Sequence, residues 1–463
     1  SAQSNTPKKS KLFGTDGIRG MANQYPMTGE VIMQVGRAAG HVIRKRVEKN
    51  PKKRRAKILI GKDTRISGYM IEMALASGIC SMGVDVLLIG PMPTPGIAFL
   101  TQSMRCDAGI QISASHNPFH DNGIKIFAED GFKIPDEVEA EIERLVTTGA
   151  VDRIRPTAED VGKAFRIDDA LGRYIVDLKN TFPRDLSLDG LRIVLDCANG
   201  AFYKGAPLVF EELGAELVKR GVSPTGLNIN DKVGALYPEN VTGATVEYRA
   251  DIGISLDGDG DRVLLSDENG EIVDGDRIMA ICAIDMKQTG QLAKNTIVAT
   301  PMSNIGLELG LAAQGIKVVR APVGDRYVVD AMRKGEYVLG GEQSGHIVFL
   351  EHSKTGDGVV AALKVLSIMQ RTGKKLSELA KCITMLPQVR EDVRITKREP
   401  LDQIKEVKAE IDAAEAALLN RGRVFVRLSG TEPLARVLVE GEDLAEIKGF
   451  AKRIGGAIAK ALG

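Results

Sequence analysis

A short apolar run, a helical stretch, a glycine and a second apolar run recur three times along this chain, each time about a domain apart. Lys57-Ile58-Leu59-Ile60-Gly61 leads through an Ala- and Met-rich stretch to Gly83-Val84-Asp85-Val86-Leu87-Leu88-Ile89. Arg192 to Asp196 leads through Leu208 to Leu213 to a run at Gly214 to Val218, and Thr296 to Thr300 through Leu307 to Leu311 to one at Gly315 to Val319. Apolar runs this short, joined by a helix that a glycine terminates, read as strand–helix–strand crossovers with a parallel component. Three such units predict three related α/β domains. After about Pro387 the rhythm changes: residues 401–419 read as a helix, 423–428 and 436–440 as strands, and 444–462 as a final helix. That pattern predicts a small α+β domain. At roughly 150 residues per domain, a chain of 463 residues accommodates this division. The expected limits are 1–185, 186–290, 291–388 and 389–463.

Charge narrows the function. Sixty-two Lys and Arg balance 61 Asp and Glu, for a net charge of +1, which argues against a globally basic nucleic-acid binder. The densest basic run, Arg44 to Lys57, reads as a helix end followed by a solvated loop. No apolar run approaches the roughly 18 residues that would span a bilayer, and the first 20 residues carry no secretory signal pattern. Cys80, Cys106, Cys197, Cys282 and Cys382 are odd in number and far apart. They read as reduced thiols of a cytoplasmic enzyme.

Four segments carry chemistry. In Asp257-Gly258-Asp259-Gly260-Asp261-Arg262, carboxylates at alternate positions project to one side, and they would repel one another unless a cation sat among them. Oxygen-only ligands select a hard ion, Mg²⁺ or Ca²⁺. The spacing mimics an EF-hand, but Arg262 occupies the position that needs glycine, and the flanks read as strands. A solvated acidic turn remains the alternative. Ile112-Ser113-Ala114-Ser115-His116-Asn117-Pro118 places a hydroxyl and an imidazole on what reads as an exposed turn. Alone, that pair fits a satisfied turn histidine equally well. Beside a three-carboxylate metal site a serine suits phosphoryl transfer better than acyl chemistry, and no Gly-x-Ser-x-Gly elbow is present. Arg427-Leu428-Ser429-Gly430-Thr431-Glu432-Pro433, with Arg436, combines hydroxyls, a close-approach glycine and guanidinium forks, the requirements of a phosphate dianion. Gly340-Gly341-Glu342-Gln343-Ser344-Gly345-His346 offers groups that hydrogen-bond sugar hydroxyls, or is a plain glycine turn.

Together and in this order, the four segments resemble the α-D-phosphohexomutase superfamily over essentially the whole chain. Lys11 to Gly20 (Lys-Leu-Phe-Gly-Thr-Asp-Gly-Ile-Arg-Gly) and the Gly-Glu-Gln-Ser-Gly-His loop look like its bacterial glucosamine phosphate branch. The resemblance implies three related mixed-sheet α/β domains plus a small C-terminal α+β domain around a central cleft. It implies that Ser115 is phosphorylated, with His116 beside it, and that Asp257, Asp259 and Asp261 hold Mg²⁺ together with a phosphoserine oxygen. Arg262 would lie against phosphate or sugar, and Glu342 and Ser344 would read sugar hydroxyls. Asp325 and Arg326 would contact ligand. Ser429, Gly430, Thr431 and Arg436 would clamp the distal phosphate, supported by Arg427. Arg19, Lys125 and His346 match positions near the reacting phosphate, suited to charge stabilisation and proton transfer.

The implied activity interconverts glucosamine 6-phosphate and glucosamine 1-phosphate through phosphoserine, with glucosamine 1,6-bisphosphate as intermediate and trace activator. The implied partners are the hexosamine phosphate and a second copy of the chain in a homodimer, with neither nucleic acid nor membrane. A mutase for glucose or mannose phosphates, and a non-catalytic sugar-phosphate binder, are the alternatives. Two departures stand out: Leu428 precedes the Ser-Gly-Thr, and Gly234-Ala235-Leu236-Tyr237-Pro238 replaces a Gly-Ser-Thr-His common in the family. No site is expected at the second.

Overall fold

The structure, a computed structural model, describes residues 11–49, 55–429 and 433–463. Four sheets follow one another along the chain. The first contains β1 (Ile18–Met21), β2 (Lys57–Lys62), β3 (Asp85–Pro91), β4 (Ala108–Ile112), β5 (Asp121–Ala128) and β6 (Ala164–Arg166), in the order β1-β5-β4-β2-β3-β6. The second contains β7 (Arg192–Asp196), β8 (Glu216–Arg220), β9 (Ile252–Leu256), β10 (Val263–Ser266) and β11 (Ile272–Val273), in the order β11-β10-β9-β7-β8. The third contains β12 (Thr296–Ala299), β13 (Lys317–Arg320), β14 (Leu339–Gly341) and β15 (Ile347–Phe349), in the order β13-β12-β14-β15.

One wiring is used three times. A first strand pairs in parallel with a second and a third on either side, and an antiparallel fourth closes against the third. Crossover helices such as Ser67–Cys80, Gly205–Glu212 and Ile305–Ala313 link the first parallel pair, as parallel strands require. The central strands are mostly apolar and buried at nearly every position because both faces are covered. Ile58 and Ile60 point into the core under the helices Gly29–Glu48 and Ser67–Cys80, whereas Leu59 points the other way. Val194 and Val298 likewise face outer clusters while Ile193, Leu195, Ile297 and Ala299 join Leu59 in one apolar core continuous through all three sheets. That shared core fixes the three units against one another.

The fourth sheet is antiparallel, β16 (Gln388–Arg394), β17 (Gly422–Leu428) and β18 (Leu434–Gly441) in the order β16-β18-β17. It packs with helix Leu444–Leu462 in its own cluster. Strand β16 is absent from the sequence expectation. It is an edge strand reading Gln-Val-Arg-Glu-Asp-Val-Arg, in which only Val393 is buried, so its apolar signal is faint. The expected helix at 401–419 begins later, at Lys405, after a short 3₁₀ turn.

Candidate active site

The repeated wiring puts three loops in one topological position, between the last parallel strand and its antiparallel partner. Residues 113–120 join β4 to β5, 257–262 join β9 to β10, and 342–346 join β14 to β15. These loops hold the serine, the aspartates and the sugar-loop motif, and they converge. A Cβ on Gly258 would lie 2.5 Å from the Ser115 carbonyl oxygen, so only glycine lets the first two loops touch. Gly345, at φ +96°, accepts from the Val263 amide at 3.1 Å, and Arg262 and His346 form an antiparallel bridge.

Ser115 does not lie on an exposed turn. It is 2% exposed, because the second sheet's loops cover it. Its backbone is left-handed at φ +51°, a strained conformation for a serine. Two side chains hold it there. Arg65, fully buried, donates to the carbonyls of Ser115 at 3.0 Å, Asn117 at 2.9 Å and Pro118 at 3.1 Å. Asp63 Oδ2 pairs with Arg65 Nε at 3.1 Å and accepts from the Ser113 hydroxyl at 2.6 Å. From the second sheet's side, Asn230 donates to the Ser115 and Asn117 carbonyls at 2.9 and 3.1 Å. Neither Arg65 nor Asn230 belongs to a motif, and isolated polar residues leave no readable signal.

The Ser115 hydroxyl donates to Asp257 Oδ2 at 2.7 Å. Oxygens of Asp257, Asp259 and Asp261 lie within 4.8 Å of one another, and all three residues are buried. Lys125 Nζ reaches Asp259 at 3.0 Å and Asp261 at 3.6 Å, and Thr94 donates to Asp259 Oδ2 at 2.6 Å. Burial opposes the Asp259 charge, but Lys125 and the Thr94 hydroxyl outweigh it and hold that carboxyl far below its usual range. Burial, and then the neighbouring carboxylates, push Asp257 and Asp261 up. The buried Oδ1 atoms of Asp259 and Asp261 have no hydrogen-bond partner among the described residues. Orphaned hard oxygens in an anionic cluster fit a divalent cation.

Around this centre stand the remaining candidates. Arg19 is bonded to Asp16, whose carboxylate also meets Lys125 at 3.8 Å. Burial, then the Arg262 and Arg19 guanidiniums, depress His116 to about 4, so its imidazole is neutral near pH 7. His346 Nε2 lies 4.0 Å from Asp261 and 3.9 Å from Asp325. The Asp261, Asp257 and Glu342 carboxylates outweigh burial and keep Arg262 charged. Ser344 is exposed in its loop, open to a ligand. Two expected ligand contacts are differently engaged. Asp325 pairs with Lys133 at 2.5 Å, and Arg326 grips Asp136, Glu139 at 2.8 Å and the Ile134 carbonyl at 2.9 Å. Arg326 thus bridges the first and third units.

In the fourth sheet, Arg427 on β17 stands opposite Arg436 on β18. Burial, then Arg436 and Arg390, lower the Arg427 pKa. Cations crowded together in this way suit an anion. Ser429 is buried beside them, whereas Gly430 and Thr431 lie outside the described residues. Arg427 makes no hydrogen bond to the three converging loops among the described residues. This sheet joins the third unit instead, through Glu440, which accepts from the Ile305 amide at 3.1 Å, and Arg423, which donates to the Ser303 carbonyl at 2.9 Å.

Three equivalent loops bringing serine, carboxylate triad and sugar-loop groups together define a phosphohexomutase. Matches to the phosphoglucomutase/phosphomannomutase family run along the chain: alpha/beta/alpha domain I at residues 10–152, domain II at 172–270, domain III at 274–385 and the C-terminal domain at 392–456. The chain belongs to this family, which is metal-dependent and works through a phosphoserine. A phosphoglucosamine mutase from Syntrophotalea carbinolica is 60% identical over 455 residues, covering 98% of each chain. One from Geotalea uraniireducens is 58% identical over 453 residues, again covering 98% of each. A crystal structure of a phosphoglucomutase/phosphomannomutase family protein from Burkholderia thailandensis shares the fold, with a TM-score of 0.81 at 24% identity over 97% of this chain and 98% of that one. No described helix is long and apolar enough to cross a membrane.

Proposed function

We propose that this chain is an isomerase that interconverts glucosamine 6-phosphate and glucosamine 1-phosphate, with Ser115 carrying the phosphoryl group between turnovers. The observation that carries the reading is the Ser115 hydroxyl 2.7 Å from Asp257, inside a buried carboxylate triad that Lys125 also enters. In the forward direction the sugar O1 bonds to the phosphoserine phosphorus as the Oγ–P bond breaks. The O1 proton passes to a base and Oγ regains one, giving the 1,6-bisphosphate. After the intermediate reorients, its 6-phosphoryl group returns to Ser115 and glucosamine 1-phosphate leaves. Arg19 and Lys125 are placed to stabilise the transferring charge. His116, neutral near pH 7, and His346 are the candidates for moving the proton. When bound, Mg²⁺ held by Asp257, Asp259, Asp261 and a phosphoserine oxygen supplies further neutralisation of the phosphoryl oxygens.

In this reading residues 1–185 carry the phosphoserine loop, 186–290 the metal ligands, 291–388 the sugar loop and 389–463 the distal-phosphate clamp. Arg262, Glu342 and Ser344 contact the sugar phosphate, and Asp325 and Arg326 bear on it from the third unit. Arg427, Ser429, Gly430, Thr431 and Arg436 hold whichever phosphate is not reacting. A cytoplasmic homodimer supplying amino-sugar nucleotide synthesis belongs to the same reading. It is tested by initial rates on glucosamine, glucose and mannose phosphates, with Mg²⁺ and a trace of the corresponding bisphosphate. A kcat/KM advantage of orders of magnitude for glucosamine phosphate supports it; parity with glucose or mannose phosphate overturns the substrate. Near-normal turnover by Ser115→Ala overturns the phosphoserine.

A further inference from the structure

Lys133 belongs to none of the motifs, yet it lies at the junction of two units with its side chain only 14% exposed. Its ammonium pairs with Asp16 at 2.8 Å and with Asp325 at 2.5 Å. Those two carboxylates are the hinges of a closed ring of ionisable groups. From Lys133 the ring runs to Asp16, then 3.8 Å to Lys125, and 3.6 Å on to Asp261. It continues 4.0 Å to His346, 3.9 Å to Asp325 and back to Lys133. Each of the first three units contributes to the ring. Lys125 with Asp261 joins the first to the second, His346 with Asp261 the second to the third, and Lys133 with Asp325 the third to the first. Arg326 bridges the first and third units too, but its partners Asp136, Glu139 and Ile134 lie outside the ring.

We propose that Lys133 is a positioning residue for phosphoryl transfer, the cation that locks the first unit's Arg19 and Lys125 against the third unit's His346. The inference rests on the phosphohexomutase reading and assigns Lys133 a part within it. Asp16 holds Arg19 and faces Lys125, so whatever fixes Asp16 aims Arg19 and bears on Lys125, which Asp259 also holds at 3.0 Å. Asp325 faces His346, so whatever fixes Asp325 sets that imidazole. One ammonium does both. Without it, two partly buried carboxylates of like charge confront each other and are driven apart. Arg19 and His346 then lose their mutual geometry, although no group that contacts the sugar has been removed. Misplacement of that kind lowers the rate of the chemical step more than it lowers substrate affinity. A cavity of about 310 Å³ borders Lys133, Asp325 and Arg326, which leaves an arginine at position 133 room to span the same two carboxylates.

The test uses the full-length protein and whichever hexose phosphate the wild type turns over; a wild type with no mutase activity would count against the family reading alone. Lys133→Met is expected to lower kcat by at least about tenfold, with KM within about threefold and the unfolding temperature nearly unchanged. Lys133→Arg is expected to recover most of the loss. The proposal is overturned if the folded Met variant loses less than about tenfold in kcat, if its loss appears in KM instead, or if Arg does no better than Met. Should the Met variant fail to fold, Asp325→Asn and the double variant decide. The double variant is expected to be no slower than Asp325→Asn alone, because the repulsion is gone. Losses that multiply would overturn the proposal.

Discussion

Replacing Arg65 tests whether one buried guanidinium holds Ser115, the serine proposed to carry the phosphoryl group, in its strained conformation. Arg65 is 0% exposed, donates to three loop carbonyls and pairs with Asp63. Arg65→Lys keeps the charge beside Asp63 but replaces a planar five-donor fork with three donors on a point. Arg65 makes four bonds to those three carbonyls, and an ammonium with one donor on Asp63 keeps two at most, so at least two are lost. Hydrogen bonds to charged groups contribute about 1.5–3 kcal/mol each, so the loop loses roughly 3–6 kcal/mol of restraint. The φ of +51° at Ser115 stores on the order of 1–3 kcal/mol. The loss therefore exceeds the strain, and the serine relaxes away from Asp257.

A displacement of about 1 Å at a reacting atom costs on the order of 10²-fold in rate. Stopped-flow transfer from phosphorylated enzyme to sugar phosphate reads that loss, and amide hydrogen exchange over residues 113–118 reads the released loop. Arg65→Met adds an unpaired buried Asp63, whose pKa burial already raises even with Arg65 in place. A carboxyl raised in the folded state stabilises the protein while protonated, and that stability is lost as pH rises through its folded pKa. The Met variant raises that pKa further, so its deficit against wild type grows with pH. Transfer rates in Arg65→Lys within threefold of wild type, with unchanged exchange at 113–118, would refute the reasoning.

Other groups give sharper single readouts. Asp259→Asn removes the most strongly ionised ligand of the triad, and calorimetric titration with Mg²⁺ is expected to show affinity reduced at least about tenfold; an unchanged isotherm would place the metal elsewhere. Burial, with Asp274 beside it, raises Asp276 to about 7, so the folded state keeps a proton between roughly pH 4 and 7 that the unfolded chain has released. Stability should fall across that window by up to about 1.4 kcal/mol per pH unit, and Asp276→Asn should flatten the slope by one proton in denaturant titrations at several pH values. Tyr174→Phe keeps the ring contacts with Phe99 and Phe202 but removes the hydroxyl that donates to buried Asp357. Urea unfolding should record a loss of about 1–3 kcal/mol, and a neutral result would show that Asp357 finds another partner.

Local periodicity made much of the architecture readable. Apolar runs such as Lys57–Lys62 and Ile252–Leu256 are buried on both faces, so their composition alone marks them as central strands. Strand β16, buried at one position, left no such mark. The chemical segments were legible for a similar reason: a cation site needs several oxygens on a short stretch of backbone, so Asp257, Asp259 and Asp261 announce themselves. What the sequence could not state is which residues reach a site from far along the chain. Arg65, Thr94 and Asn230 each act on a loop in another part of the sequence, through one or two hydrogen bonds that impose no spacing rule. Burial of Ser115 is also a tertiary outcome, since Arg65 closes on it from one side and Asn230, Asp257 and Gly258 from the other. Lys133 and Asp325 are 192 positions apart, and their pairing exists only because a core shared by three sheets fixes the units against one another. The sequence by itself determined the central strands of the repeated units and their order, and marked the candidate reactive groups, because those follow from short-range pattern. The tertiary structure alone decided which charges face one another, because electrostatic contact depends on distance in space, and distance in space is set by how the sheets stack.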